Sequence, residues 1–318
     1  MTFQQSISNG GGDIQWMKPA PDSKAPFVYL TVYPDNLYPD EGYYTKLANE
    51  LKDFNKDILF RLMPEFTGDW FPKYYDEHGT TFVAAWRKVH TVMKGVLGDK
   101  ISFVWSPNHM DSNTPSDYFD KWWPGDEFVE VIGTSIYWYG NPKDQNSMPP
   151  DGVFEESLNG GDLYHKYAVL KSKPMMISES APTWHPEKNQ DVDHLKLKQA
   201  FWRQYLTNPA FLDKYSNLKH ICMFEIQKWE DGELRDFRLG NNENVRNEFL
   251  QDYKQVADRY VTIDGVHLSG TDNVTSAHSS SNNTSVPSNS SYPSTASTPS
   301  NSPTAVSKPK KCKRRLRK

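Results

Sequence analysis

The sequence predicts an α/β fold, and three observations carry that reading. Short apolar runs alternate with longer helical patterns from residue 25 to residue 265, the layout of βα units around a parallel sheet. The chain has 318 residues, 14% of them aromatic, enough to bury a large core in one domain. A barrel of the (β/α)₈ TIM type takes about 250 residues and eight strands, whereas residues 25–265 yield about six βα units. The expected architecture is therefore an incomplete barrel of that type.

The elements follow in order. Met1 to Lys24 is polar, with Gly10, Gly11 and Gly12 in a row, and reads as a loop segment, 1–24. Strands are expected near Phe27–Tyr33, Ile58–Met63, Ile101–Ser106, Val129–Tyr137, Pro174–Ser178 and His220–Ile226. Helices are expected near Glu41–Phe54, Thr80–Leu97, Val153–Lys171, Asp191–Tyr205 and Asn242–Asp258. In the second of these, Phe82, Trp86, Val89, Met93 and Val96 recur at three and four, an apolar face to lay on a sheet.

Residues 266–307 turn to Ser, Thr, Asn and Pro with almost nothing to bury, so they are expected to be disordered. Asn273, Asn282, Asn283 and Asn289 each head an N-x-S/T sequon there, which suggests a glycosylated linker. The tail 308–318, KPKKCKRRLRK, holds eight of the 36 basic residues and no acid. Without it 28 bases face 40 acids, so the body is acidic, which argues against a nucleic-acid substrate. The tail itself reads as a solvated end, a contact for a polyanion or a cell wall, or a nuclear signal.

Cys222 and Cys312 are too few for a disulfide framework or a structural zinc site, and the histidines lack metal-ligand spacing. No Gly-rich phosphate loop follows a strand and no G-x-S-x-G elbow occurs, so no cofactor and no metal are expected. No run of eighteen apolar residues is present, so no membrane partner is expected. The first residues lack the apolar core of a signal peptide.

Two stretches share one layout. DILFRLMPEFTGDW ends a strand on Glu65 with Trp70 five residues on, and KPMMISESAPTW ends one on Glu179 with Trp184 five residues on. Paired strand-end carboxylates in an aromatic cleft are what glycoside hydrolysis needs. Glu65 in an apolar setting would protonate the leaving oxygen, and Glu179 would attack the anomeric carbon, oriented by Tyr137. Arg61 lies behind the first acid, and Asn108 shares a strand end with Trp105. Trp70, Trp105, Trp138, Trp184 and Trp229 offer faces for sugar rings, although burial in the core is the commoner fate of a tryptophan. Glu225 also ends a strand, and is open as nucleophile, subsite residue or salt-bridge partner of Lys228.

These stretches resemble glycoside hydrolase family 26, retaining endo-β-glycanases of the (β/α)₈ clan A that includes β-mannanases. The matching segments are YLTVYP at 29–34, RLMPEFTGDWF at 61–71, FVWSPN at 103–108, WWPGDEFVEVIGTSIYWYG at 122–140 and KPMMISESAP at 173–182. The resemblance implies an acid/base after the fourth barrel strand and a nucleophile after the seventh. Glu65 and Glu179 fit those roles if two strands are absent from the N-terminal side, with Arg61 as the arginine preceding the acid/base and Tyr137 as the tyrosine near the nucleophile. Many relatives place His before the acid/base, where this chain has Pro64, which departs from the mannose subsite.

The resemblance also implies a polysaccharide substrate, β-mannan or a related β-glucan, and an extracellular setting, which the sequons fit. Two other readings stand beside the enzyme. One is a carbohydrate-binding remnant without turnover; the other is a polyanion-associated protein led by its basic tail.

Overall fold

The computed structural model describes residues 25–72 and 74–260, the backbone of Thr2–Ile7, and single positions 14, 18, 19 and 23. A seven-stranded sheet runs in chain order, every neighbour parallel: β1 (Thr2–Ile7), β2 (Phe27–Pro34), β3 (Asp57–Leu62), β4 (Ile101–Trp105), β5 (Val131–Trp138), β6 (Met175–Pro182) and β7 (Leu218–Met223). Among the described residues β1 and β7 are the two edges and do not pair with each other, so the sheet curls without closing. This is an incomplete barrel of the TIM type, as the sequence predicts.

Helices pack on the outer face because their apolar stripes match it. In α1 (Glu41–Lys52), Tyr44, Leu47, Ala48 and Leu51 are buried at helical spacing, and Asp40 caps the start by accepting from the Gly42 and Tyr43 amides. In α2 (Thr80–Leu97), Phe82, Trp86, Val89, Met93 and Leu97 do the same. The predicted helix at 153–171 is broken into α3 (Val153–Asn159) and a π-helical turn, Leu163–Val169. Gly161, at φ +62, separates them, and its missing side chain leaves space for Phe119. Then come α4 (His194–Trp202), a short α5 (Pro209–Lys214), the antiparallel hairpin β8 (Gln227–Glu230) and β9 (Glu233–Asp236), and α6 (Glu243–Lys254).

Strand parity sets the two layers of the core. Val28, Leu30 and Val32, Ile58, Phe60 and Leu62, and Ile101, Phe103 and Trp105 belong to the large cluster beneath the helices. The alternate positions Tyr29, Leu59, Val104, Val131 and Met176 form the small cluster inside the curl, joined by Phe27 and Cys222. A side chain's parity on its strand therefore decides whether it reaches the interior or the helices.

Three expectations are corrected. The loop reading of 1–24 fails at Thr2–Ile7, where TFQQSI pairs with β2 from Thr2↔Tyr29 to Ile7↔Pro34; only two large apolar residues mark it as a strand. With β1 counted, Glu65 follows the third strand and Glu179 belongs to the sixth, each one place later in the sheet than the six-strand reading put it. Glu179 lies within β6 rather than past its end. The turn of the β8–β9 hairpin, Asp231-Gly232, has positive φ at both residues, a turn signal present in the sequence. The sequons, the linker 266–307 and the basic tail lie outside the described residues.

Candidate active site

The site is assembled at the C-terminal ends of the strands, and two backbone irregularities aim its acids. Along β5 and β6 the register runs Thr134↔Ile177 and then Ser135↔Glu179, so Ser178 is an extra residue. This bulge inverts the parity of β6 after Ile177, turning Glu179 inward, where strict alternation would face it toward the helices. Past β3 the chain turns through two left-handed residues, Met63 at φ +49 and Glu65 at φ +55. Such positions cost about 1–3 kcal/mol for a residue with a side chain and concentrate at working sites. Here the Glu65 amide is anchored on the Ser106 carbonyl at 2.8 Å.

Glu179 is gripped at both oxygens. Arg61 donates to Oε1, and the Tyr137 hydroxyl donates to Oε2 at 2.6 Å. Arg61 is wholly buried, and its remaining nitrogens are committed: Nε donates to Ser106 Oγ at 3.1 Å and Nη2 to Ser135 Oγ at 2.7 Å. Ser106 in turn donates to Ser178 Oγ at 3.0 Å, tying the guanidinium back to the bulge. Gly133 makes room for this chain, since a Cβ there would lie 2.5 Å from Ser178 Oγ. Burial, and then the charge on Glu179, raise the Tyr137 pKa far above the ordinary phenol range, so it remains a donor.

Glu65 has the opposite setting. Burial, and then the negative charge on Glu179, push its carboxyl above the ordinary range; Arg61 and hydrogen bonds from Ser135 and Trp70 oppose that push without cancelling it. Trp70 Nε1 donates to Glu65 Oε2 at 3.2 Å while half of its surface stays open. Gly68 permits that placement, because a Cβ there would meet the Trp70 ring at 2.2 Å. One carboxyl inclined to hold a proton thus faces another held by a cation and a phenol. That is the division of labour acid–base catalysis at a glycosidic bond uses.

Both acids line one cavity of about 440 Å³, together with Tyr33, Trp70, Phe71, Asn108, His109, Tyr137, Tyr139, Lys143, Phe224, Lys228, Glu230, Asp231, Arg235 and Phe237. The structure thus brings Glu65, Glu179, Tyr137, Trp70 and Asn108 to one cleft, with Arg61 buried behind Glu179.

The other residues singled out from the sequence lie elsewhere. Trp105 shares the parity of Phe103 and is buried under the helices against Phe66, Trp123 and Tyr167, its Nε1 donating to the Trp122 carbonyl. Trp138 shares the parity of Ile136 and donates to the Ser147 carbonyl. Trp184 stacks on His194 at 4.5 Å and pairs with the Asp236 backbone. Trp229 is exposed on the hairpin, and its neighbours Lys228 and Glu230 line the cavity instead. Glu225 accepts from the Leu239 and Gly240 amides, and the ion pair considered for it belongs to Glu230, 2.8 Å from Lys228.

Several cleft residues have no counterpart among the sequence candidates. Arg235, 1% exposed, donates to Asp144, Glu230 and Asp231, clamping the hairpin to the loop after β5. Its only sequence signal was an arginine inside a D-G hairpin. His109 and Phe224 immediately follow a named residue or a strand end, so strand counting could have reached them. Among the described residues no group of three His, Cys, Asp or Glu could hold a metal ion, and no helix is long and apolar enough to cross a membrane.

Comparison with known proteins bears on family and fold. Residues 41–159 match the family model described as glycosyl hydrolase family 26. The chain is 26% identical over 191 residues to Endoglucanase H of Acetivibrio thermocellus, covering 54% of this chain and 20% of that protein. It is 26% identical over 136 residues to a beta-1,3-xylanase of an Alcaligenes species, covering 43% and 25%. The fold resembles that of a double mutant of the endo-beta-1,4-mannanase of Cellulomonas fimi, with a TM-score of 0.51 at 14% identity over 73% of this chain and 55% of that one. The chain thus spans a fifth to a quarter of the curated relatives it matches.

Proposed function

We infer from this kinship with glycosyl hydrolase family 26 that the chain is a glycoside hydrolase, a retaining endo-β-glycanase acting on β-mannan or a related β-glucan. The observation that carries the reading is the unequal pair of carboxyls: Glu179 held by Arg61 and Tyr137, Glu65 biased toward its protonated form beside an open tryptophan. In the first displacement Glu179 attacks the anomeric carbon while the bond to the leaving oxygen breaks and Glu65 gives that oxygen its proton. In the second, Glu65 takes a proton from water, whose oxygen attacks the same carbon and releases Glu179. Trp70, Tyr33 and Phe71 supply apolar faces for sugar rings along the cleft.

Reducing-sugar release by wild type and by Glu65→Ala, across mannan, mixed-linkage glucan and xylan, tests the proposal. Release that disappears in the variant supports it and names the polymer. A second reading, sugar binding without turnover, draws on the half-exposed strand β7, which among the described residues is an edge of the sheet. Retention on a polysaccharide gel with no new reducing ends would favour it.

A further inference from the structure

The cleft does not end at Trp70. A second cavity of about 510 Å³ continues beyond it, lined by Thr67, Gly68 and Asp69 from the loop that follows Glu65, and by Met110, Asp111 and Glu156 from the opposite wall. Trp70, Asn108 and His109 line both cavities, whereas Glu65 and Glu179 line only the first. An acid that protonates a leaving oxygen stands on the leaving-group side of the scissile bond. The second cavity, walled by the loop of that acid and entered past the tryptophan bonded to it, is therefore where the leaving group extends. His109 stands at the passage between the two.

The chemistry of His109 is set by one bond. Its Nδ1 lies 2.8 Å from the Ser135 carbonyl, which can only accept, so Nδ1 carries the hydrogen and Nε2 offers a lone pair. The carbonyl belongs to the residue paired with Glu179 across the bulge, and Asn108 bridges to the same residue, so the ring's position is fixed by the frame that aims the nucleophile. Nε2 has no partner among the described residues. Burial also pulls the imidazole pKa down, favouring the neutral ring.

Resting on the glycosidase reading, we propose that His109 determines leaving-group specificity: its neutral Nε2 accepts a hydrogen bond from a hydroxyl of the first sugar beyond the scissile bond. The partner is thus a neutral sugar presenting a donor hydroxyl. The acids Asp69, Asp111 and Glu156 around the second cavity disfavour a uronate there.

The test pairs two substrates that share a glycone, an oligosaccharide and a nitrophenyl glycoside, against wild type, His109→Asn and His109→Gln, with a thermal melt of each. Asn keeps a donor for the Ser135 carbonyl and lacks the distal acceptor; Gln carries an oxygen near the position of Nε2. With His109→Asn folded as wild type, kcat/KM on the oligosaccharide should fall about tenfold, the size of one lost hydrogen bond to substrate. The nitrophenyl glycoside, whose leaving group has no sugar hydroxyl, should lose far less than the oligosaccharide, and His109→Gln should recover part of the loss. Equal falls on both substrates, or no fall on either, would overturn the assignment. A wild type that cleaves neither substrate would overturn the underlying reading and this inference with it.

Discussion

Replacing Tyr137 with Phe removes one oxygen atom and asks what orientation of the proposed nucleophile, Glu179, is worth. The ring keeps its neighbours, Tyr139, Phe237 and Phe224 at centroid distances of 5.4, 5.5 and 5.8 Å, so no cavity opens. What is lost is the 2.6 Å hydrogen bond to Glu179 Oε2, one of the two contacts, with that from Arg61 to Oε1, that fix the carboxylate's orientation. A hydrogen bond to a charged group contributes about 1.5–3 kcal/mol, and each 1.4 kcal/mol is about tenfold in rate. Accordingly kcat should fall roughly 10- to 100-fold, while the melting temperature moves by only a few degrees because the packing is intact. Steady-state kinetics on the polymer that wild type cleaves, with a circular dichroism melt alongside, measures both. Unchanged kcat would refute the role given to Tyr137, and so would a large loss of stability, which would show the hydroxyl to be structural.

Other outcomes follow from the same frame. Arg61→Met should destabilise the fold by about 3–5 kcal/mol by leaving the Glu179 carboxyl without its buried partner, read as a lowered denaturation midpoint; an unchanged midpoint would contradict it. Gly133→Ala should reduce activity with every polar site residue still present, because its Cβ would displace Ser178 and the Ser106–Arg61 relay. The raised pKa of Glu65 places the alkaline limb of the kcat profile above the ordinary carboxylate range, since loss of its proton removes the acid; a limb unaffected by its environment would contradict that. By the same sign, Glu65→Gln should raise the melting temperature at pH 7, where the buried carboxyl disfavours the folded state, and this gain should vanish in acid, where both states are protonated. Lys198 is buried against the carbonyls of Pro182, Asp236 and Arg238, and burial pulls it down to about 8. Between about pH 8 and the ordinary lysine value the unfolded chain holds more protons, so wild type should gain stability over Lys198→Met as pH rises through that window.

Strand order, the two acids and the arginine behind them were legible because each sits in or beside a continuous apolar run. Parity could have sorted the tryptophans: Trp105 stands two residues from Phe103 and Trp138 two from Ile136, both facing the helices, whereas Tyr137 faces the curl with Val131. Parity alone would have failed at Glu179, since the extra residue Ser178 inverts it and no local residue type announces that bulge. The strand Thr2–Ile7 escaped because TFQQSI is mostly polar and is specified by pairing with β2 rather than by its own pattern. The far wall of the cleft escaped for a related reason. Lys228, Glu230 and Arg235 come to the cavity through a hairpin folded back against Asp144, a long-range ion pair that neighbouring sequence does not encode.

In the proposed double displacement Glu179 becomes covalently bonded to sugar during turnover. Incubating wild type with activated 2-deoxy-2-fluoro glycosides of mannose, glucose and xylose oligomers, followed by proteolysis and mass spectrometry, tests it directly. One glycosyl label is expected, on the peptide containing Met175–Pro182, absent when Glu179 is replaced by Gln. A label on the peptide of Glu65 or Glu225, or turnover of the natural polymer with no label from any glycoside, would contradict it.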